Sequence, residues 1–576
     1  MQTWVGEAAP PADRSRRAAV WGDALALLVL AGLLFWLIVL ARGRAGAAPA
    51  GTAIDLSPWA LPDYALRSLA RVLAASAISL AFALLFGYWT AKDAVAGRVL
   101  VPLLDFCRRG VPVLGLMPVL VLALWSAFPA GDLGLELAAV LVIVLAQFWP
   151  MTSSFRHALR AVPREQQEMA AVFQLSAWQR FKWVELPGAA MGLIWNSMMG
   201  MARGWFVLMV SETFVLGDRD FRLPGVGSYL RSAVEQDRPG AVLAALGAMA
   251  GMIVLSDQVL WRPLVVWAQK FRPDEAGAAE ATSSWFLTWL RYSRLVRLAG
   301  GLWPRLRRRR ATPPDGEAPP RPNGLPVWVV WPARLGVLAL FLPAGYGAWR
   351  LAGVLRAVPA EDWAPLAWAA LATLGRVLAA VALGTLWALP VGLAIGLSPR
   401  RARLLQSPVQ LLASFPASLV FPLLMAGLEG ARISLGWGSV VLMFLPAQSY
   451  ILFNVIAGAM TIPADLQEAV RSYDFSAWHR FRALYLPAVF PFLVRGWDAA
   501  ASVAWGTSVV AEYVTLGGEV HRTWGVGAWI SAATQAGDFP ALAAGVLVML
   551  VARESFNRLV WEPCYQLARH RYTLER

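Results

Sequence analysis

Apolar residues fill this chain in runs of about twenty, separated by short polar stretches, and a run of that length crosses a bilayer as a helix. Six such runs come first, near 21–40, 65–90, 110–128, 134–154, 188–211 and 240–268. Six more lie near 327–349, 364–397, 409–428, 434–455, 488–511 and 539–561. The pattern predicts an all-α polytopic membrane protein with about 12 transmembrane helices. The first run is too long, and too poorly followed by a small-residue cleavage site, to be a removed signal peptide. It is read as an anchor.

The two sets of runs are copies. Shifting residue n onto n+300 aligns Pro163 with Pro463, Gln167-Glu168 with Gln467-Glu468, and Trp178 with Trp478. The same shift aligns Trp205 with Trp505, Glu212 with Glu512, Gly225-Val226-Gly227 with Gly525-Val526-Gly527, and Trp261 with Trp561. Upstream the register slips by four or five: "RVLAA" at 71–75 returns at 376–380, and Pro112 and Pro118 return as Pro416 and Pro422. Since each copy holds an even number of spans, both start on the same side of the membrane, and the repeat is parallel about an axis along the membrane normal. The domain plan is then an N-terminal segment (1–20), a first half (21–269), a basic linker (270–326), a second half (327–565) and a tail (566–576).

Composition agrees: 58% of residues are hydrophobic and 15% charged, against about 25% charged in soluble domains. A net charge of +15 would suggest nucleic acid, but the basic residues fall where the positive-inside rule places them. Arg14, Arg16 and Arg17 precede the first run, Lys92 and Arg98 follow the second, Arg400, Arg401 and Arg403 the eighth, and Arg569 and Arg571 the last. Both termini are therefore expected in the cytoplasm, with Arg42 and Arg44 dissenting. In the linker, Trp285, Trp289, Tyr292 and Val296 recur at helical spacing opposite Arg291, Arg294 and Arg297, a pattern for a helix lying on an anionic leaflet. The Arg-, Pro- and Gly-rich stretch that follows has the composition of a tether.

Between the fourth and fifth run of each half sits a polar, aromatic segment, about 156–187 and 456–487. Pro163 and Pro463 suit a helix start, Glu165 and Asp465 suit its first turn, and Ser176 and Ser476 suit the cap of a second short helix. That second helix puts Trp178 with Phe181, and Trp478 with Phe481, on one face. Leu186-Pro187 and Leu486-Pro487 are then expected to end the hairpin and begin the next span. An aromatic face with a carboxylate is costly to leave in water, so each hairpin is expected to dock on a partner; packing on its own bundle is the competing reading.

At this point the chain resembles a family. Glu168-Met169-Ala170 with Leu186-Pro187, and Glu468-Ala469-Val470 with Leu486-Pro487, are similar to the EAA loops of bacterial ABC importer permeases. The Pro pairs, Trp205 with Ser211-Glu212, Trp505 with Ala511-Glu512, and the following Gly-x-Gly resemble the nitrate/sulfonate/taurine branch. The resemblance implies two tandem MetI-like six-span halves in a bacterial inner membrane. It implies ATPase-coupling roles for Glu168, Ala170, Gln174, Trp178, Phe181, Leu186 and Pro187, and for Glu468, Ala469, Asp474, Trp478, Phe481, Leu486 and Pro487. It implies partners too: two copies of a cytoplasmic ABC ATPase carrying ATP and Mg, and a periplasmic or lipid-anchored solute-binding protein. The sequence departs from the pattern where a glycine is usual, at Gln174 and Asp474, so the bend between the short helices is expected to differ.

No cofactor site is read in the chain itself. Its lysines are Lys92, Lys182 and Lys270, none follows a glycine, and a P-loop needs Gly-Lys. No catalytic pair or metal-ligand cluster has the required spacing, so the chain is read as a transporter and not an enzyme. The Gly-x-Gly segments follow spans, not strands, and are expected to form outer turns. A second class, a twelve-span major-facilitator transporter, shares the parallel plan, but the loop "AKDAVAGR" departs from that family's basic motif and the doubled hairpin would be unexplained. A membrane scaffold without transport would leave the intramembrane charges without purpose.

Those charges mark the candidate path. Ionisable residues inside a membrane usually face a cavity or one another, and Arg203, Asp498, Glu212 and Glu512 are the candidates. Arg203 stands where its copy has Val503, and Asp498 where its counterpart is Met198. Arg203 suits an anionic cargo with Asp498 balancing it. An Arg203–Asp498 pair serving packing alone stays open on the sequence.

Overall fold

A computed structural model describes residues 27–40, 54–110, 113–128, 133–216, 219–271, 327–398, 400–402, 404–405, 408–409, 415–516 and 519–572. The N-terminal arginines, Arg42 and Arg44, and the expected interfacial helix of the linker lie outside these residues. Among the described residues, six helices are long and apolar enough to cross a membrane: Leu61–Lys92, Leu133–Arg160, Pro239–Gln269, Ala360–Gly396, Leu435–Met460 and Phe539–Arg571. They fall three to each half at matching places. Between them run the helices Leu186–Ser211 and Leu486–Ala511, the fifth and eleventh runs.

The stretch 94–110 is helical (Ala94–Gly110), although no apolar run covers it. Its charged positions Arg98, Asp105 and Arg109 recur at helical spacing, a signal that a search for apolar runs overlooks. The third run forms the shorter helix Val113–Ala127. Within the ninth run a tight turn, Ala417–Leu419, follows Pro416 and leads into helix Phe421–Gly430.

Helix contacts follow membrane rules, where small residues let backbones approach because no hydrophobic force separates helix from lipid. Along Ala360–Gly396, a Cβ on Gly392 would sit 2.6 Å from Val455 Cγ1, and one on Gly396 would sit 2.5 Å from Ala459 Cβ. The two halves also meet. Trp36 donates to the Pro343 carbonyl (3.0 Å), and Phe206 packs edge-on against Phe421 at 6.4 Å between centroids.

The duplication extends to burial and to backbone irregularity. Trp205 and Trp505 are both 2% exposed, and Trp261 and Trp561 both 7%. Wide π-helical turns occur at Phe181–Glu185 and Phe481–Tyr485, and again at Asp257–Trp261 and Asn557–Trp561. Such turns are rare in helices. Their recurrence at one offset makes them part of the repeated design.

Candidate functional site

Three features are candidates for function: a pair of hairpins, a pair of buried carboxylate braces, and a cavity between the halves. In the first hairpin, helix Arg164–Val172 starts after Pro163, and Gln167 Nε2 clips back to the Val162 carbonyl at 2.9 Å. Gln467 repeats the clip on Ile462 at 3.1 Å. Ser176 caps helix Ala177–Arg180 by accepting from Gln179 N (3.3 Å), while Gln179 Oε1 accepts from Ser176 N (2.8 Å), a reciprocal pair that satisfies two helix-end donors. In the copy, Ser476 accepts from His479 N at 3.2 Å.

Both halves make the same bend. Gln174 and Asp474 both adopt the left-handed conformation, with φ of 49° and 53°. Each closes a helix end in which the next amide reaches back to a carbonyl: Leu175 N to Ala170 O (3.0 Å) and Phe475 N to Val470 O (3.3 Å). Backbone hydrogen bonding therefore holds the turn even without glycine, at a conformational cost of about 1 kcal/mol for a residue such as Gln. Gln174→Gly should stabilise the protein by roughly 0.5–1 kcal/mol, read as a higher melting temperature in detergent. An unchanged or lowered midpoint would show that the turn carries no strain.

Leu186-Pro187 and Leu486-Pro487 begin the next span as expected, but no break separates it from the hairpin. The chain runs through the π turns directly into the fifth and eleventh run helices, where Leu186 N donates to Phe181 O and Leu486 N to Phe481 O. Pro187 and Pro487 then fall in the first turn of the following helix, where a missing amide donor costs little.

The aromatic faces are present as read. Trp178 stacks on Phe181, and Trp478 on Phe481, each at 5.6 Å between centroids. The tryptophans stay 67% and 69% exposed, which is a large apolar area left uncovered twice. Glu168 and Glu468 are exposed beside them, Ala170 is buried and Ala469 half-buried. The halves differ at the hairpin root. Glu185, only 3% exposed, binds Lys92 Nζ (2.5 Å) and Arg180 Nε (2.9 Å), whereas its counterpart is Tyr485 and Arg480 Nε has no partner among the described residues.

Glu212 and Glu512 are fully buried and form matching braces. Glu212 accepts from Ser68 Oγ (2.6 Å), Arg71 Nη1 (2.7 Å) and Gly227 N (2.8 Å). Glu512 accepts from Thr373 Oγ1 (2.8 Å), Arg376 Nη1 (2.8 Å) and Gly527 N (2.9 Å). Ser68 and Thr373 in turn accept from Val226 N and Val526 N, each at 3.0 Å. Each Gly-x-Gly is thus more than a turn: it opens helix Val226–Glu235 or Val526–Ala536 and presents the first-turn amides to a carboxylate, where a negative charge is favoured. Gly225 and Gly525 are needed for space, because a Cβ would lie 2.3 Å from Glu212 Cδ or 2.4 Å from Glu512 Cδ. The sequence reading missed Ser68, Arg71, Thr373 and Arg376. The available signal was an arginine repeated inside two otherwise apolar runs, as the glutamates repeat inside two others.

A cavity of about 200 Å³ lies between the halves. Arg203, Gln448, Ser449, Thr507 and Arg553 supply polar groups to its wall, and no Asp or Glu is among its described lining residues. Arg553 donates to Ser502 Oγ at 2.7 Å. Arg203 and Asp498 are not brought together: Arg203 lines the cavity, while Asp498, 8% exposed, lines a small adjoining pocket and accepts from the Tyr565 hydroxyl at 3.1 Å.

Two like halves thus enclose one central cavity. The chain belongs to the family described as binding-protein-dependent transport system inner membrane component, whose model matches residues 83–260 and again 380–559. It is 26% identical over 152 residues to the nitrate import permease protein NrtB of Leptolyngbya laminosa, covering 26% of this chain and 53% of that protein. It is 25% identical over 201 residues to the taurine transport system permease protein TauC of Escherichia coli, covering 35% and 68%. Against the bicarbonate transport system permease protein CmpB of Synechococcus elongatus it is 21% identical over 206 residues, covering 36% and 67%. The chain thus spans about half the length of the first of these relatives and two thirds of the others. The doubled family match does not favour the major-facilitator reading.

Proposed function

We propose that this chain forms the translocation path of an ATP-driven importer for a small anion, by alternating access between its two halves. The observation that carries the reading is the pair of hairpins, alike in plan at an offset of 300, each presenting a largely exposed tryptophan stacked on a half-buried phenylalanine, and an exposed glutamate. Each would seat on one copy of a separate cytoplasmic ABC ATPase, which holds ATP and Mg. Closure of the two ATPases would then rock the halves about the cavity. The anionic cargo is supported by the cavity wall, which presents Arg203 and has no Asp or Glu among its described lining residues. The relatives named for nitrate, taurine and bicarbonate agree with it, and the family's description supports delivery by a solute-binding protein.

Proteoliposomes holding the chain with its ATPase should accumulate anion only with ATP present. Accumulation driven by an ion gradient without ATP would overturn the proposal. The hairpins and both termini face the cytoplasm in this reading, and the Gly-x-Gly helices the outside. Cysteines placed at 174 and 474 should accordingly react only with a cytoplasmic reagent, and those at 236 and 536, exposed at the far ends of the Gly-x-Gly helices, only with an external one. Opposite labelling within a pair would rule out the parallel arrangement.

A further inference from the structure

In both halves a glutamate brace joins one end of two helices. Ser68 and Arg71 on helix Leu61–Lys92 hold Glu212, which closes helix Leu186–Ser211; Thr373 and Arg376 on helix Ala360–Gly396 hold Glu512, which closes helix Leu486–Ala511. At the opposite end, where the hairpins begin, the halves part company. Lys92, the last residue of its helix, donates from Nζ to Glu185 Oε1 (2.5 Å), and Arg180 Nε donates to the same oxygen (2.9 Å). One turn before Lys92, Tyr88 sets its ring edge-on to Phe181 at 5.4 Å between centroids, and Lys92 Nζ lies 5.6 Å from the Tyr88 centroid. Phe155, on helix Leu133–Arg160, meets Phe181 edge-on at 6.5 Å. Charge and rings together tie the first hairpin root to helix Leu61–Lys92.

The groups that grip Arg180 and Phe181 are absent from the copy. An offset of 305 puts Leu393 and Leu397 in place of Tyr88 and Lys92, and an offset of 300 puts Val455 and Tyr485 in place of Phe155 and Glu185. Arg480 is kept, but its Nε has no partner among the described residues. Leu397, Phe481 and Tyr485 pack as partly buried apolar groups instead. A charge-assisted hydrogen bond fixes both distance and direction, whereas apolar burial is non-directional and tolerates a tilt while its area stays covered. Helix Ala360–Gly396 does meet its partner once more: Trp497 Nε1 donates to Thr385 Oγ1 at 2.9 Å. That neutral bond lies about 18 Å short of Leu397 along the helix, so the hairpin end is left to swing about it.

We propose that Lys92, Glu185 and Arg180 form a strut, with Lys92 its positioning residue, that makes the first hairpin and helix Leu61–Lys92 one moving body. Held at both ends, helices Leu61–Lys92 and Leu186–Ser211 keep their spacing when the ATPase subunits close. Their counterparts, held by the brace and the Trp497 bond, change spacing at the hairpin end. One stroke thus moves the two halves unequally, and the second supplies the larger movement. This rests on the reading that the hairpins seat on the ATPase.

The test uses the full chain with its copurified ATPase and spin labels on exposed positions at the hairpin ends, Val95 with Lys182 in the first half and Arg400 with Arg482 in the second. Trapping the ATPase closed with ATP, Mg and vanadate should leave the first distance unchanged and shift the second by at least about 2 Å, the scale of helix shifts in switching proteins. Lys92→Met should free the first pair to shift as the second does; Arg180 stays on Glu185, so the buried carboxylate keeps a partner. Leu397→Lys with Tyr485→Glu builds the strut into the second half and should abolish the second shift, and it serves if Lys92→Met does not fold.

Equal shifts of both pairs in the unmodified chain, no shift of either, or a first pair that stays fixed in Lys92→Met would overturn the strut; so would a lower melting temperature in that variant with both distances as before, the mark of a merely stabilising cluster. Copurification from the chain carrying Glu168→Arg with Glu468→Arg separates the two readings. The ATPase should be lost there. Its retention would overturn the docking reading and the strut's part in transmission, whereas equal shifts with docking intact would overturn the strut alone.

Discussion

A chain carrying Glu168→Arg together with Glu468→Arg should insert and fold normally yet lose most ATP-driven uptake, by at least about tenfold. Both carboxylates are exposed on short hairpin helices and form no contact that holds the fold, so stability should change little; surface substitutions usually stay within about 0.5 kcal/mol. At a docked interface the outcome is different. Reversing a charge sets like against like, which costs several kcal/mol, and about 1.4 kcal/mol already gives a factor of ten. Melting temperature and uptake, measured on the same preparation, separate the two effects. Wild-type uptake by the double variant would end the docking assignment.

Glu512→Ala should do the reverse, lowering the yield of folded protein before transport is reached. Removing one partner of a buried ion pair costs about 3–5 kcal/mol, and Glu512 is fully buried among Thr373, Arg376 and the amides of Gly527 and Ala528. Glu212→Ala should be milder, because Arg71 keeps a second carboxylate, Glu136, at 2.6 Å. In the copy, Arg376 has only Thr523 Oγ1 and the Trp524 carbonyl to fall back on. Thermal melting of the two variants in detergent checks the order. Unchanged melting with lost uptake would return both glutamates to the translocation path, where the sequence alone suggested them.

Much of this protein was legible in one dimension. Runs of about twenty apolar residues announced a membrane bundle because lipid obliges each segment to satisfy its own backbone. The offset of 300 announced two like halves, and the hairpin signs at Pro163, Ser176, Trp178 and their copies are local. Capping and i, i+3 contacts depend on residues a few positions apart, so spacing predicts them and the structure keeps them.

What spacing could not supply was partnership across the chain. Gln174 looked less suited than Asp474 to a glycine's turn, yet both sit in the left-handed region, each closed by the next amide's bond to the carbonyl of Ala170 or Val470. Leu-Pro looked like a break before the next span, yet a π turn just ahead of it joins the hairpin to that span without interruption. Glu212 and Glu512 looked like lone charges, and only folding sets them beside arginines 141 and 136 positions away. Arg203 and Asp498 lay close in helix register, but neighbouring helices turn one into the central cavity and the other toward Tyr565. Sequence by itself determined the helical class, most of the long helices and their repetition, because those follow from local hydrophobicity and local hydrogen bonding. Tertiary structure alone decided which buried charges brace the fold and which line the central cavity, because in a low-dielectric interior a charge's role is set by the group that meets it.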